Sequence, residues 1–194
     1  MKMILGAAIL SSMTVIAAQA GGTSTAVAVC QACHGVTGNS AKPDVPRLNG
    51  QKVEYLKQRL TDFHDPASQD PHATNVMWGI VERTDDSTLV ELAQYFATQA
   101  PMAAANGGAS AQEGRKLYTS GDPANYVPAC GTCHGANAEG LGDVPRLAGQ
   151  HGLYLENQLE RMRLNMRANG VMHPKTNSMS DAQIKALVGY LAKD

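Results

Sequence analysis

Leu56, Leu60 and Phe63 follow one another at intervals of four and three residues among polar and charged neighbours, and Leu155, Leu159 and Met162 repeat the same spacing a hundred residues on. Apolar residues at that interval share one face of an α-helix, so each set predicts an amphipathic helix with its stripe turned inward. Two more helices are predicted further along. Asp85 and Ser180 each precede an apolar-periodic stretch and are each followed by an acid in the first turn, Asp86 and Asp181, the pattern of an N-cap. Loops with Pro46 and Pro145 lead into the middle helices. No segment reads as a β-sheet, so the expected fold class is all-α.

The first twenty residues follow a different plan. Lys2 supplies a positive start, Met3 to Ala18 an apolar run, and Ala18-Gln19-Ala20 a small-x-small site; residues 1–20 are therefore predicted to be a secretory signal peptide cleaved after Ala20. Ser11, Ser12 and Thr14 interrupt the run, which is short for a membrane anchor. The mature chain is expected to be exported and soluble.

Beyond the signal the chain repeats itself. "DVPRLNGQKVEYLKQRL" from Asp44 matches "DVPRLAGQHGLYLENQL" from Asp143 at an offset of 99, and "DDSTLVELAQYFA" from Asp85 matches "SDAQIKALVGYLA" from Ser180 at an offset of 95. Self-similarity at so long a period indicates a tandem duplication. Two domains are predicted, 21–99 and 110–194, joined across an Ala- and Gly-rich surface linker at 100–109. The first copy has only "GGTSTAVAVC" where the second has "EGRKLYTSGDPANYVPAC", so the first copy's leading helix is expected to be short. Domains of this size have modest cores.

The four cysteines fall in two identical patterns, Cys30-x-x-Cys33-His34 and Cys130-x-x-Cys133-His134. In an exported protein four cysteines ordinarily suggest two disulfides. C-x-x-C-H is instead the attachment signature of c-type haem: two thiols one helical turn apart each form a thioether to a porphyrin vinyl group, and the next residue's imidazole lies beneath the iron. A zinc site would need further ligands at finger spacing, and a thioredoxin-like pair needs no histidine directly after it. Two such motifs that use every cysteine predict two covalently bound haem c groups, with His34 and His134 as iron ligands.

The duplication also selects the opposite ligand. Counting back eight residues from the caps Asp85 and Ser180 reaches Met77 and Met172. Met179 stands directly before a cap, where an apolar residue packs on the first turn, and reads as structural. His173 aligns with Trp78 and is kept as a minor alternative ligand. His64, His72 and His151 have no equivalents in the other copy and read as partly exposed loop or helix-end residues. A thioether stabilises ferrous iron, and a His/Met-ligated iron has no open position, which favours electron transfer over chemistry at the metal.

With a net charge of −1 and a pI near 6.6, the chain has no basic excess to neutralise phosphates, which argues against nucleic acid as a partner. The charge is unevenly shared: residues 21–101 hold six Lys/Arg against nine Asp/Glu, a net of −3, and residues 102–194 nine against eight, a net of +1. Such a difference can orient association with charged partners.

Taken together, "CQACHGVTGNSAKPDVPRLNGQ", "VPACGTCHGANAEGLGDVPRLAGQHGLYLENQL" and the two closing helices resemble the class I cytochromes c, and within them the diheme cytochrome c4 family. The resemblance implies two tandem cytochrome c domains about a pseudo-twofold axis, their haem propionate edges facing. It implies that the carbonyls of Pro46 and Pro145 accept hydrogen bonds from His34 and His134, and that Arg47, Arg146, Tyr55 and Tyr154 are candidates to meet propionates, ordinary surface roles being the alternative. It also implies a monomeric periplasmic electron carrier able to associate loosely with a membrane surface. Its expected donor is a quinol-oxidising complex and its expected acceptor a terminal oxidase or another reductase. The alternatives are the cytochrome subunit of a flavin-containing sulfide dehydrogenase, or a diheme enzyme such as a thiosulfate dehydrogenase or a peroxidase.

Overall fold

The chain is described here from a computed structural model covering residues 21–64, 73–104, 109–167 and 171–193. The predicted signal peptide and His72 lie outside the described residues. All named elements among the described residues are helical, in agreement with the all-α expectation, and the extended contacts are isolated bridges.

The first copy contains α1 (Gly21–His34), α2 (Val53–His64), a π-helical turn (Ala73–Met77), α3 (Trp78–Val81) and α4 (Asp86–Ala97). The second contains α5 (Ala109–Ser120), a 3-10 turn (Pro123–Asn125), α6 (Gly131–His134), α7 (Gly152–Arg163), α8 (His173–Thr176) and α9 (Asp181–Leu191). The predicted middle helices are α2 and α7. The predicted stripes face inward: Leu56 and Leu155 are buried, and Leu60, Phe63 and Leu159 lie half-buried against their cores.

Both closing helices start where the caps place them. Asp85 takes hydrogen bonds from the Ser87 hydroxyl and from the backbone N–H and hydroxyl of Thr88, and these hold its carboxyl at about 2. Ser180 and Gln183 form a reciprocal capping box ahead of α9. Met179, just before that cap, is buried in the second core, as its structural reading requires.

The expectation of a short leading helix in the first copy is corrected. Helix α1 has 14 residues and runs without a break through Cys30 and Cys33 to His34, because "TAVAV" contains no residue that would stop it. In the second copy Gly121 and Pro123 end α5 and force a loop, so the Cys-x-x-Cys-His turn becomes a separate helix of four residues, α6.

Each copy has its own core. Val27, Leu56, Leu89, Leu92 and Phe96 centre the first; Leu117, Tyr118, Leu155, Ile184 and Leu187 centre the second. In the second core Tyr118 is fully buried, stacks at 5.4 Å on Tyr190, and donates its hydroxyl hydrogen to the Gly135 carbonyl, directly after the attachment histidine. The leading helix therefore braces the attachment turn it precedes.

Candidate haem sites and the interface between them

The two attachment motifs occupy one helical turn each, at the end of α1 and in α6. No two of the four cysteines are joined in a disulfide, and Cys33 and Cys133 are exposed. Burial raises the Cys30 thiol and pushes that of Cys130 up to about 11. These shifts run opposite to the low-pKa thiolate that a redox pair needs.

The histidines are oriented by their loops. Nδ1 of His34 lies 2.8 Å from the Pro46 carbonyl, and Nδ1 of His134 lies 2.9 Å from that of Pro145. A carbonyl only accepts, so Nδ1 carries the hydrogen and Nε2 keeps its lone pair. Burial lowers both imidazoles below their ordinary value, opposed by those same proline contacts. Each ring is a neutral, fixed, nitrogen donor, which is the form a metal ligand must take.

Met77 closes the π-helical turn and lies half-buried against the first core. Met172 is half-buried at the edge of α8, where its carbonyl accepts the N–H groups of Lys175 and Thr176 and the hydroxyl of Thr176. Both methionines thus stand on short helical segments following the middle helices. His173 begins α8, and its side chain lies outside the described residues.

The P-R-L-x-G-Q segments meet across the interface between the copies in a reciprocal pattern. Gln51 accepts the Arg146 N–H at 2.7 Å and donates to the Arg146 carbonyl at 2.9 Å. Gln150 does the same to Arg47, at 2.9 Å for both bonds. The guanidinium of Arg47 donates to the carbonyls of Gly149 and Lys193, and that of Arg146 to the Met102 carbonyl in the linker. Each arginine therefore reaches the segment that follows the other copy's closing helix. The linker passes so close to the second copy that a Cβ on Gly149, whose φ is +77°, would lie 2.1 Å from the Met102 oxygen.

The arginines are thus interface residues bonded to backbone, which neither the propionate reading nor the surface alternative had described. One observation still suits a haem carboxylate: Nε of Arg146 is buried with no hydrogen-bond partner among the described residues. Two cysteines on one turn, an imidazole fixed through Nδ1 and this buried donor together fit a covalently attached haem.

Tyr55 accepts a hydrogen bond from the buried Arg167 of the other copy at 3.0 Å, while Tyr154 is half-buried. His151 is corrected: far from being a partly exposed loop residue, it is 4% exposed and bonds across the interface to the Ser40 carbonyl. His64 is half-buried, with Nε2 at 3.1 Å from the Glu82 carbonyl. Sequence reasoning missed Gln51 and Gln150. Their signal was present, since the G-Q pair recurs in both copies, but nothing local shows that a polar side chain is reading a backbone about a hundred residues away.

Replacing both glutamines with leucine removes the four hydrogen bonds across the interface, together with those to the Lys52 and His151 N–H groups, and strands part-buried backbone groups, each at a cost of about 1–3 kcal/mol. The Gln51→Leu, Gln150→Leu chain is expected to be larger in small-angle scattering and more readily cleaved by protease between residues 100 and 109. An unchanged radius and cleavage rate would show that other contacts hold the copies together.

Comparison with known proteins places these features. The cytochrome c family profile matches residues 111–193. The chain is 37% identical over 176 residues to cytochrome c4 of Thiocapsa roseopersicina, covering 88% of this chain and 89% of that one. It is 35% identical to a thiosulfate dehydrogenase electron acceptor of Thiomonas intermedia, covering 85% and 78%. The structure of Acidithiobacillus ferrooxidans cytochrome c4 superposes with a TM-score of 0.79 at 34% identity, covering 85% of this chain and 98% of that one.

Proposed function

The chain belongs to the cytochrome c4 family and is a diheme c-type electron-transfer cytochrome, and from that premise we propose that it is an exported periplasmic carrier passing electrons from a quinol-oxidising complex to a terminal oxidase or another reductase. The observation that carries this reading is the pairing of two matched attachment sites through one reciprocal arginine–glutamine interface. Haem c supplies a reversible one-electron couple at each site. In our reading Cys30, Cys33, Cys130 and Cys133 form the thioethers, while His34 with Met77 and His134 with Met172 ligate the irons. The Pro46 and Pro145 carbonyls fix the imidazoles and so limit reorganisation when charge changes. Arg146 would direct its buried Nε toward a propionate. Gln51 and Gln150 hold the two domains in one relative placement, so that electrons can exchange between them without domain movement.

A second reading has a specific observation behind it. The Thiomonas intermedia relative is named as an electron acceptor of thiosulfate dehydrogenase, so this chain's donor could instead be an enzyme of that kind. Both readings make the chain a carrier and not the enzyme itself.

Optical spectroscopy of the purified ferric protein tests the ligand assignment. The far-red charge-transfer band of Met-ligated haem, measured against total haem, is expected to account for two haems per chain, with no carbon monoxide binding on reduction. One high-spin or gas-binding haem would mean an open iron and would favour an enzyme. Stopped-flow reduction by a quinol-oxidising complex, compared with reduction by thiosulfate dehydrogenase and thiosulfate, then separates the two donors.

A further inference from the structure

The two copies exchange contacts across their interface, and one contact differs in kind between the two directions. His151 stands at the N-cap of α7, is 4% exposed, and places Nε2 2.8 Å from the carbonyl oxygen of Ser40. The carbonyl can only accept, so the hydrogen sits on Nε2. Ser40 is itself 2% exposed and belongs to the loop that follows His34. Its hydroxyl lies 3.4 Å from the Cys33 carbonyl and 3.3 Å from that of Lys42, and it accepts the Lys42 N–H at 3.0 Å. A side chain of the second copy thus joins a short run of polar contacts that ends at an attachment cysteine of the first.

The duplication supplies an internal comparison. Gly140 occupies the place of Ser40 and has no hydroxyl; Lys52 occupies the place of His151. Lys52 acts through charge on the half-buried Glu139, whose carboxyl is held low first by backbone N–H contacts, its own and that of Asn137, and then by Lys52 and Arg146. The second loop therefore receives a cation beside an acid, whereas the first receives a hydrogen bond at a buried backbone carbonyl.

We propose that His151 is a positioning residue for the N-terminal haem: it holds the loop that runs from His34 through Ser40 from the neighbouring domain, so that the midpoint potential of that haem, and not of the other, depends on this contact. Potential follows the hydrogen bonding and burial around a haem's attachment and ligand groups. A loop clamped by an outside donor keeps the Cys33 and His34 backbone in one arrangement. Without the donor, the Ser40 carbonyl is buried and unsatisfied, and the loop must move to satisfy it. The proposal rests on the assignment of Cys30, Cys33 and His34 to the N-terminal haem.

The test uses the full-length protein with both haems attached, titrated between its redox states while haem-methyl proton resonances assigned to each domain are followed. His151→Leu is expected to change the electron equilibrium between the haems by about fivefold, the scale of one hydrogen bond, with the movement confined to the N-terminal haem. His151→Gln keeps an N–H at similar reach and should restore most of the difference. Ser40→Gly reproduces the second copy's residue and should move the same haem by less. The proposal is overturned if the leucine variant leaves both potentials unchanged, shifts both equally, or shifts only the C-terminal haem. It is equally overturned if glutamine fails to restore the value. Should the leucine variant not fold, His151→Ala, which also removes the donor to the Ser40 carbonyl but adds no bulk, decides alone: a selective shift of the N-terminal haem supports the proposal and no shift rejects it. A wild-type content of one haem per chain, measured by pyridine haemochrome, would instead reject the underlying site assignment.

Discussion

Met172→Ala is expected to open the C-terminal iron while leaving the N-terminal one closed. The variant should lose half of the far-red charge-transfer intensity, bind one equivalent of carbon monoxide when reduced, and lower the potential of the affected haem on the order of 0.1 V, since axial ligands set potential across ~0.8 V. The backbone argues for a clean loss. Three donors from Lys175 and Thr176 converge on the Met172 carbonyl, and Thr176 is 2% exposed, so the segment keeps its place when the thioether is removed. Met77→Ala should produce the same change in the other haem. A low-spin spectrum without carbon monoxide binding in Met172→Ala would identify His173, its neighbour in sequence, as a replacement ligand. An unchanged far-red band would remove Met172 from the ligand set.

Gly114→Ala is expected to destabilise the C-terminal domain although alanine is the better helix former. In an exposed helix the exchange gains about 1 kcal/mol. Here α5 crosses α9 so closely that the new Cβ would lie 1.9 Å from the Ala186 carbonyl oxygen and 2.9 Å from the Tyr190 Cβ. The nearest obstacle is backbone, which cannot rotate away, so one helix must shift. Overpacking typically costs about 1–3 kcal/mol, and a backbone obstacle puts this site at the upper end, leaving a net loss of about 2 kcal/mol and a midpoint lowered by roughly 10 °C for a domain of this size. The displacement would also reach the interface, because the Leu191 carbonyl at the end of α9 accepts the Gly149 N–H. Differential scanning calorimetry should show the C-terminal transition moving down; a rise in its midpoint would mean that the crossing relaxes freely.

The features that were legible in the chain are those whose physics is local. Two thiols and an imidazole within five residues define an attachment turn wherever it occurs. Asp85 and Ser180 declare helix starts because the donors they satisfy lie within three residues. The stripes of α2 and α7 needed only the period of a helix. Repetition added the comparison that aligned Met77 with Met172.

Other features were hidden because their partners lie far along the chain. Helix α1 could not be judged from its missing counterpart, since its length depends on the absence of a breaker and not on matching the second copy. Arg47 and Arg146 looked like surface or propionate residues, yet their guanidinium groups bond to carbonyls of the opposite copy and of the linker. His151 looked incidental for lack of an equivalent, and that asymmetry proved to be its distinguishing property. By itself the sequence determined the cofactor chemistry, the helical class and the duplication, all of which follow from spacing over a few residues or from direct self-comparison. Only the tertiary structure decided how Gln51, Gln150, the two arginines and His151 join the copies, because hydrogen bonds between segments about a hundred residues apart depend on how the helices pack, and periodicity carries no record of that.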